Sequence, residues 1–220
     1  MPVNPDLFHA ITKELNGNHC KLVAVSKTKP VSDIQALYDL GQRDFGENYV
    51  QELVEKHELL PKDIRWHFIG HLQTNKVKQI AGFVHLVHGV DSLKLLKEID
   101  KQAEKLKRKI DCLLQVHIAQ EETKFGMDET EVKEVLQHKT QLASVHIRGL
   151  MGMASFSDDM NKVRSEFQLL KSLFDKVKQG GTDNGQWDIL SMGMSGDYRI
   201  AIGEGSTMVR IGSLLFGERA

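Results

Sequence analysis

Eight short runs of apolar and β-branched residues alternate along the chain with longer stretches of helical periodicity. The clearest runs are LVAVS at residues 22–26 and CLLQVHI at residues 112–118. An alternation of this kind predicts an α/β protein in which crossover helices join the strands of a parallel sheet. We predict strands at residues 22–26, 43–46, 66–69, 83–88, 112–118, 144–150, 187–190 and 208–211.

Helical patterns fill the segments between these strands. We predict helices at residues 32–41, 49–60, 73–81, 92–108, 128–139 and 160–179, and a short helical turn before the last strand. Ser32 with Gln35, and Asp128 with Glu131, have the spacing of a capping box. No Pro- or Ser-rich linker interrupts the series, and no G-x-G-x-x-G follows the first strand, which argues against a doubly wound Rossmann-like sheet. We therefore predict a single (β/α)8 TIM barrel over residues 1–220.

The composition limits the partners of such a barrel. The chain has 29 Lys and Arg against 30 Asp and Glu, a formal charge of -1, which gives no net attraction to nucleic acid or to an anionic membrane. No apolar run reaches the ~20 residues that span a bilayer, and the N-terminus lacks the pattern of a secretory signal. Cys20 and Cys112 fit no zinc spacing. We expect a cytoplasmic protein, and, without a long apolar surface stretch, a monomer.

The end of the first predicted strand carries a candidate for covalent chemistry. In a barrel of this type, reactive groups lie in the loops that follow the strands. Lys27 ends an apolar strand, so its amine points toward the barrel mouth. Partial desolvation and the nearby Lys29 would lower its pKa, as a lysine that forms a Schiff base requires. A solvated lysine without a chemical role is the alternative, and spacing alone does not decide between the two.

Two glycine-containing loops follow the seventh and eighth predicted strands. They are residues 191–196 (SMGMSG) and the pair Gly212 and Ser213. Glycines let backbone N–H groups approach a phosphate, and Ser195 adds a hydroxyl group. Each loop alone could be a simple tight turn. Because the first, seventh and eighth strands are neighbours in a closed barrel, the combination with Lys27 favours a site for a phosphate-containing ligand.

The histidines give no complete metal site. His67 and His71 are four residues apart but lie on either side of a predicted strand end, and a third ligand is missing. His85 and His88 are expected to be core or solvated residues. The chain also lacks G-x-S-x-G and Walker A motifs, so serine hydrolase and P-loop chemistry have no support. We predict no metal.

Several motifs carry a resemblance to a known family. They are LVAVSKTKP, FGENYVQE, WHFIGHLQTNK, RGLMGM, SMGMSGDY and GSTMVRIGSLLFGER. In their order and spacing, across nearly the whole chain, they resemble the pyridoxal phosphate homeostasis proteins. The resemblance implies a barrel like the N-terminal domain of alanine racemase, with pyridoxal 5'-phosphate (PLP) as its cofactor.

The resemblance also implies roles for individual residues around the ring of the cofactor. Lys27 of the Ser-Lys-Thr-Lys-Pro motif would hold PLP covalently as an internal aldimine, and Lys29 would be a second lysine nearby. Arg210 would face the pyridine nitrogen. Asn48 of the Gly-Glu-Asn motif would line the cofactor pocket.

The family's phosphate site would map onto Ser195, Gly212 and Ser213. We call these three residues the phosphate cradle. One departure is visible on the fifth predicted strand, where His117 occupies a position at which family members more usually have asparagine. This strand leads into residues 121–124, a polar loop of the sequence EETK.

An arginine at the pyridine nitrogen argues against strong catalysis. It keeps that nitrogen unprotonated, so the ring is a poor electron sink. Racemisation also needs a second acid/base group, which barrel racemases take from a C-terminal β-domain. We expect no such domain in this protein. Only Tyr38, Tyr49 and Tyr198 could replace that group. We expect a protein without catalytic residues that carries PLP and delivers it, with PLP-dependent apo-enzymes as partners. A weak PLP-dependent racemase and a phosphate-binding barrel lyase are the alternatives.

Overall fold

The computed structural model describes residues 3–119, 125–138, 141–180 and 187–217, and its eight strands close into a parallel barrel. The strands pair in chain order, and β1 pairs with β8 to complete the ring. They are β1 Lys21–Val25, β2 Asp44–Glu47, β3 Arg65–Phe68, β4 Leu86–Val90, β5 Ile110–Val116, β6 Val145–Gly152, β7 Ile189–Ser191 and β8 Met208–Ile211. The prediction of a (β/α)8 TIM barrel is confirmed.

Helices separate the strands along the chain. They are α1 Pro5–Gly17, α2 Val31–Asp39, α3 Val50–Leu59, α4 Val77–Ile80, α5 Leu93–Lys105, α6 Glu129–Gln137, α7 Met160–Gln179, α8 Tyr198–Gly203 and α9 Ser213–Phe216. A 3-10 turn, Thr74–Lys76, precedes α4, so the helix predicted at 73–81 is divided. Neither α1 nor α9 was expected from the sequence.

The two predicted N-caps have different outcomes. Asp128 caps α6 in a full capping box with Glu131, as predicted. Ser32 does not cap α2, because Pro30 already has the extended N-cap backbone and the helix begins at Val31. The fixed φ of proline places the start of the helix two residues earlier than the serine pattern indicated.

The fourth strand was placed too early in the sequence. Residues 83–85 belong to the segment that follows α4, and β4 begins only at Leu86. The backbone N–H groups of Phe83 and Val84 both donate to the carbonyl of Ile80, so this stretch continues the helical turn. His85 therefore precedes the strand, whereas His88 lies within it.

Apolar side chains pack on both faces of the strands, one layer against the helices and one inside the barrel. Side chains alternate between the faces of a strand, so Trp66 and Phe68 pack in the apolar cluster with the helices, while His67 bonds to His88 of β4 on the inner face. The interior holds a small apolar cluster formed by Val23, Leu86, Leu113, Met151 and Met208, from five different strands. Among the described residues, no helix is both long enough and apolar enough to cross a bilayer.

Candidate functional site

A cavity of about 440 Å³ opens at the carboxyl ends of the strands. Its size is typical of small-molecule sites. The walls include all seven residues predicted for a cofactor site: Lys27, Lys29, Asn48, Ser195, Arg210, Gly212 and Ser213. Apolar side chains, among them Val25, Ile69 and Met153, supply much of the remaining wall. The barrel thus brings together residues that are up to 186 positions apart in the sequence, from Lys27 to Ser213.

The turn that follows β1 presents Lys27 to this cavity. Lys29 donates its backbone N–H to the carbonyl of Ser26 at 3.0 Å, which closes the turn around Lys27. Thr28 has a φ of 64°, a left-handed conformation that costs a non-glycine residue about 1–2 kcal/mol. Its backbone N–H donates to Oε1 of Glu52 on α3 at 2.6 Å. A side chain from a neighbouring helix therefore holds the turn in a conformation that it would otherwise avoid.

A buried group of charges lies directly beneath this turn. Lys56 donates to the carbonyl of Ser26 at 2.7 Å, to Glu47 at 2.8 Å and to Glu52 at 2.6 Å. Glu47 also accepts from the hydroxyl of Ser26 at 2.6 Å. Burial raises the pKa of Glu47 to about 7, although Lys56 opposes the shift. These contacts fix both the main chain and the side chain of the residue before Lys27.

Sequence reasoning did not identify Glu47, Glu52 or Lys56 as functional. Glu47 and Glu52 lie in the motif FGENYVQE, but the resemblance assigned them no role. The i,i+4 spacing of Glu52 and Lys56 normally indicates a solvated pair on a helix surface. Here Lys56 is only 5% exposed because the end of β2 covers it. These residues support the position of Lys27 without lining the cavity.

Lys29 closes another part of the cavity wall. Its ammonium donates to the carbonyl oxygens of Phe216 at 3.0 Å and Gly217 at 3.2 Å, at the carboxyl end of α9. Cations are favourable at the carboxyl end of a helix, where carbonyl groups lack partners. The lysine therefore ties the segment after β1 to the segment after β8.

The phosphate cradle carries several hydrogen-bond donors in the wall of the cavity. The N–H of Gly212 donates to Oγ of Ser195 at 3.2 Å, so the hydroxyl hydrogen of Ser195 is available to another acceptor. The N–H of Ser213 is at the start of α9 and has no acceptor within that helix. Within the described ranges, no acceptor is found for the N–H groups of Ser195 and Gly196. Such a cluster of donors suits an anion.

Arg210 lies at the floor of the cavity and is 4% exposed. One terminal nitrogen, Nη1, donates to the carbonyl of Ser191 at 2.9 Å and to its Oγ at 2.6 Å. The other, Nη2, donates to the carbonyl of Gly152 at 2.9 Å. Burial lowers the pKa of Arg210 to about 10, and the charge of Asp197 opposes the shift. The guanidinium is therefore cationic at neutral pH and rigidly oriented.

Asn48 contributes a buried acceptor to the cavity. Its Oδ1 has no hydrogen-bond partner among the described residues. The main chain here is tightly packed, because a Cβ on Gly70 would lie 2.3 Å from the carbonyl oxygen of Asn48. Buried polar atoms without partners are rare, so Oδ1 is a candidate contact for a ligand donor.

The polar residues of the fifth predicted strand, Gln115 and His117, do not line the cavity. His117 is not among its lining residues, and Gln115 donates from Nε2 to the carbonyl of Phe125 at 2.9 Å. Residues 121–124, the polar loop after this strand, lie outside the described residues. The departure from the family expected at His117 stays a prediction.

The structure regroups the histidines considered as metal ligands. His71 bonds to Asp91 at 3.0 Å and stacks on Phe125, away from His67. Donor atoms of Asp44, His67 and His85 instead lie within 4.8 Å of one another at the opposite end of the barrel. The sequence could not indicate this group, because its members come from three segments that become neighbours only in the closed barrel.

Comparisons with known proteins agree with this architecture. Residues 8–220 match the family model described as alanine racemase, N-terminal domain. A pyridoxal phosphate homeostasis protein of Aquifex aeolicus is 43% identical over 205 residues, 92% of this chain and 89% of that protein. The chain belongs to this family. A pyridoxal phosphate homeostasis protein of Schizosaccharomyces pombe is 38% identical over 212 residues, 95% of this chain and 88% of that protein.

Solved structures extend the family assignment to three dimensions. PipY of Synechococcus elongatus, solved with PLP bound, has a TM-score of 0.88 and 33% identity, and the match covers 97% of this chain and 99% of PipY. The alanine racemase of Clostridium difficile has a TM-score of 0.76 at 16% identity, over 99% of this chain and 61% of that enzyme. The second likeness concerns the fold alone.

Proposed function

We propose that this member of the pyridoxal phosphate homeostasis family binds PLP in the cavity at the carboxyl ends of its strands and releases or delivers it. The observation that carries the proposal is the presence of a lysine, a cluster of hydrogen-bond donors and a buried arginine in the wall of one cavity of about 440 Å³. PLP has three recognisable groups, an aldehyde, a phosphate and a pyridine nitrogen. The cavity offers chemistry that matches each of them.

Each group of the cofactor has a matching partner among the chain's own residues. The amine of Lys27 is suited to covalent attachment to the aldehyde, since amines condense with carbonyl compounds. The phosphate cradle supplies hydroxyl and backbone donors for the phosphate. Arg210 would hold its guanidinium toward the pyridine nitrogen, and the unpartnered Oδ1 of Asn48 is an additional acceptor in the wall. The PLP-bound structure of PipY, a relative with 33% identity, supports the same cofactor.

The first experiment is a visible absorption spectrum of the purified protein after addition of PLP, followed by borohydride reduction and peptide mapping. We expect a yellow protein that loses its colour on reduction and carries a pyridoxyl group on Lys27. Lys27→Ala should remain colourless after dialysis, whereas the matched control Lys101→Ala, an exposed lysine outside the cavity, should behave like the wild type. A wild-type protein that stays colourless and unmodified contradicts the proposal.

We also propose that the protein has no robust catalytic activity. Tyr38 donates its hydroxyl to Asp63 at 2.7 Å, and Tyr198 donates to Glu14 at 3.0 Å. Tyr49 is 59% exposed, and none of the three tyrosines lines the cavity. The chain therefore offers no tyrosine as the second acid/base group of a racemase. The test is exchange of the α-hydrogen of amino acids in deuterated water. Exchange that Lys27→Ala abolishes would indicate a weak enzyme instead.

We propose a monomer built from one domain over residues 1–220, located in the cytoplasm, with PLP-dependent apo-enzymes as recipients. Cys20 and Cys112 are free and buried, which suits a reducing compartment. Light scattering tests the monomer. Reactivation of an apo-enzyme by the PLP-loaded protein, in the presence of a trap for free PLP, tests direct delivery.

A further inference from the structure

A continuous chain of hydrogen-bonded side chains crosses the interior of the barrel. It starts at Asp44 on β2 and passes through His67 on β3 at 3.0 Å and His88 on β4 at 2.9 Å. Ser191 on β7 follows at 3.1 Å, and Nη1 of Arg210 on β8 bonds to its Oγ at 2.6 Å. His67, His88 and Ser191 are fully buried. Barrel interiors are usually filled with branched apolar residues, and burying polar groups costs free energy. A function for this series of polar side chains is therefore expected.

The carboxylate end of the chain fixes the first hydrogen. Burial opposes the charge of Asp44, but hydrogen bonds from Arg65 and His67 outweigh it and hold the pKa of this carboxyl well below its usual range. An ionised carboxylate only accepts hydrogen bonds. Nε2 of His67 is therefore the donor to Asp44.

The remaining hydrogens follow in one direction. Burial lowers the pKa of both His67 and His88, so each ring is neutral and carries a single N–H. Nδ1 of His67 accepts from Nε2–H of His88, and Nδ1 of His88 accepts from the hydroxyl of Ser191. Oγ of Ser191 in turn accepts from Arg210. Each side chain between the two ends of the series therefore accepts a hydrogen bond from its neighbour on the Arg210 side and donates one to its neighbour on the Asp44 side.

The common direction of these hydrogen bonds stabilises the buried positive charge of Arg210. All three hydrogen bonds that the described residues give Arg210 go to neutral oxygen atoms, two on Ser191 and one on Gly152. The aligned chain directs its acceptors at Arg210 and ends in the negative charge of Asp44. Hydrogen bonds in such a series polarise and strengthen one another in a low-dielectric interior.

We propose that Asp44, His67, His88 and Ser191 are positioning residues that orient Arg210 and stabilise its charge from the opposite end of the barrel. The inference rests on the proposed function, in which Arg210 faces the pyridine nitrogen of PLP. The electronic state of that nitrogen then depends on a carboxylate that never touches the cofactor.

The same end of the barrel contains the Asp44, His67 and His85 group, whose donor atoms could in principle hold a metal ion. Two observations favour the hydrogen-bond chain instead. Arg65 donates to both carboxylate oxygens of Asp44, so a second cation would meet a guanidinium already in place. A metal would also need the lone pair on Nε2 of His67, the atom that carries the hydrogen in the chain.

The first test uses PLP-free protein with ¹⁵N-labelled histidine. Protonated and unprotonated ring nitrogens have distinct ¹⁵N shifts in NMR spectra, so the tautomer of each ring can be measured directly. In the wild type we expect both His67 and His88 to be neutral with the hydrogen on Nε2. A doubly protonated ring of His67 or His88, or a hydrogen on Nδ1 of either residue, contradicts the proposed series of hydrogen bonds.

Asp44→Ala tests whether the residues are connected. Without the carboxylate, Arg65 lies beside Nε2 of His67 and favours a lone pair on that atom. The hydrogen of His67 then moves to Nδ1, and His88 must also change to its Nδ1–H tautomer to keep the bond between the rings. The matched control is Asp111→Ala, which removes a carboxylate paired with Arg148 at the same end of the barrel. An unchanged His88 in Asp44→Ala overturns the proposal.

The second arm measures the coupling to the cofactor. PLP bound to Asp44→Ala or Ser191→Ala should have a shifted visible absorption band and about two- to tenfold weaker affinity, the loss expected for one buried hydrogen bond, while Asp111→Ala matches the wild type. Ser191→Ala removes a single atom, so it keeps this arm decisive if Asp44→Ala fails to fold.

The outcomes of the two arms separate the inference from the proposed function. Wild-type spectra and affinity in Asp44→Ala and Ser191→Ala overturn the coupling while PLP binding stands. A wild-type protein that binds no PLP contradicts both the proposed function and the coupling of Asp44 to the cofactor. The ¹⁵N measurement of the histidine tautomers then tests the series of hydrogen bonds independently of PLP.

Discussion

The backbone N–H of Thr28 and the carboxylate of Glu52 are joined by a hydrogen bond of 2.6 Å across 24 positions of sequence. This contact links α3 to the turn that carries Lys27, at the residue with a left-handed backbone. Because Lys56 holds the same carboxylate, the turn is connected to the buried charges beneath it. The position of Lys27 is therefore determined by a helix that does not line the cavity.

Glu52→Ala should destabilise the protein and weaken PLP binding together. The substitution leaves the N–H of Thr28 without its acceptor and removes one of the two carboxylates around Lys56. We expect a loss of about 1–3 kcal/mol in the free energy of unfolding, measured by urea denaturation. The control Glu55→Ala, an exposed residue on the same helix, should stay within about 0.5 kcal/mol of the wild type. Equal stabilities for the two variants would show that the contact has no energetic role.

Ser195→Ala should weaken the binding of PLP while its covalent attachment through Lys27 persists. A hydrogen bond to a charged group contributes about 1.5–3 kcal/mol, so we expect the Kd to rise about ten- to a hundredfold. Pyridoxal, which lacks the phosphate, provides the internal control, because its affinity should change little. If Ser195→Ala weakens pyridoxal and PLP equally, Ser195 is not a phosphate contact.

Local signals in the sequence predicted the barrel and, at its mouth, Lys27 and the two glycine-containing loops. Asn48 and Arg210 were predicted only from the resemblance to a known family. Strand and helix periodicities are read within a few residues. Lys27 and Ser195 lie only two and four residues after the ends of β1 and β7. The bounds of α2 were less accurate, since Pro30 and Ser32 compete for the same role and only the backbone decides between them.

The buried side-chain contacts below the cavity could not be predicted in the same way. His67 and His88 are bonded at 2.9 Å but come from different strands, and 21 residues separate them. Lys56 looks like a surface lysine until β2 and the turn after β1 cover it. Contacts of this kind depend on the register of the closed barrel, which no short window of sequence contains.

Glu47 should make the stability of the protein depend on pH in an unusual direction. Burial raises its pKa to about 7 in the folded protein, from 4.5 in the unfolded chain. Between these values the folded state holds a proton that the unfolded state has released, so the free energy of unfolding falls as the pH rises from about 4.5 to about 7. Glu47→Gln cannot titrate, so its stability should lose this contribution. Urea denaturation of both proteins across this range measures the difference, and parallel pH profiles would contradict the assignment.

Lys29→Ala should speed the release of PLP. The lysine holds the carbonyl oxygens of Phe216 and Gly217, so its loss frees the end of α9. The N-cap of this helix, Gly212, and its first residue, Ser213, belong to the phosphate cradle. We expect the off-rate, followed by absorbance in the presence of a trapping apo-enzyme, to rise about two- to tenfold. Lys29→Arg retains a donor at this position and should lie between the wild type and Lys29→Ala. A slower release would instead mean that the amine of Lys29 takes part in displacing the cofactor from Lys27, and an unchanged rate would remove Lys29 from the release step altogether.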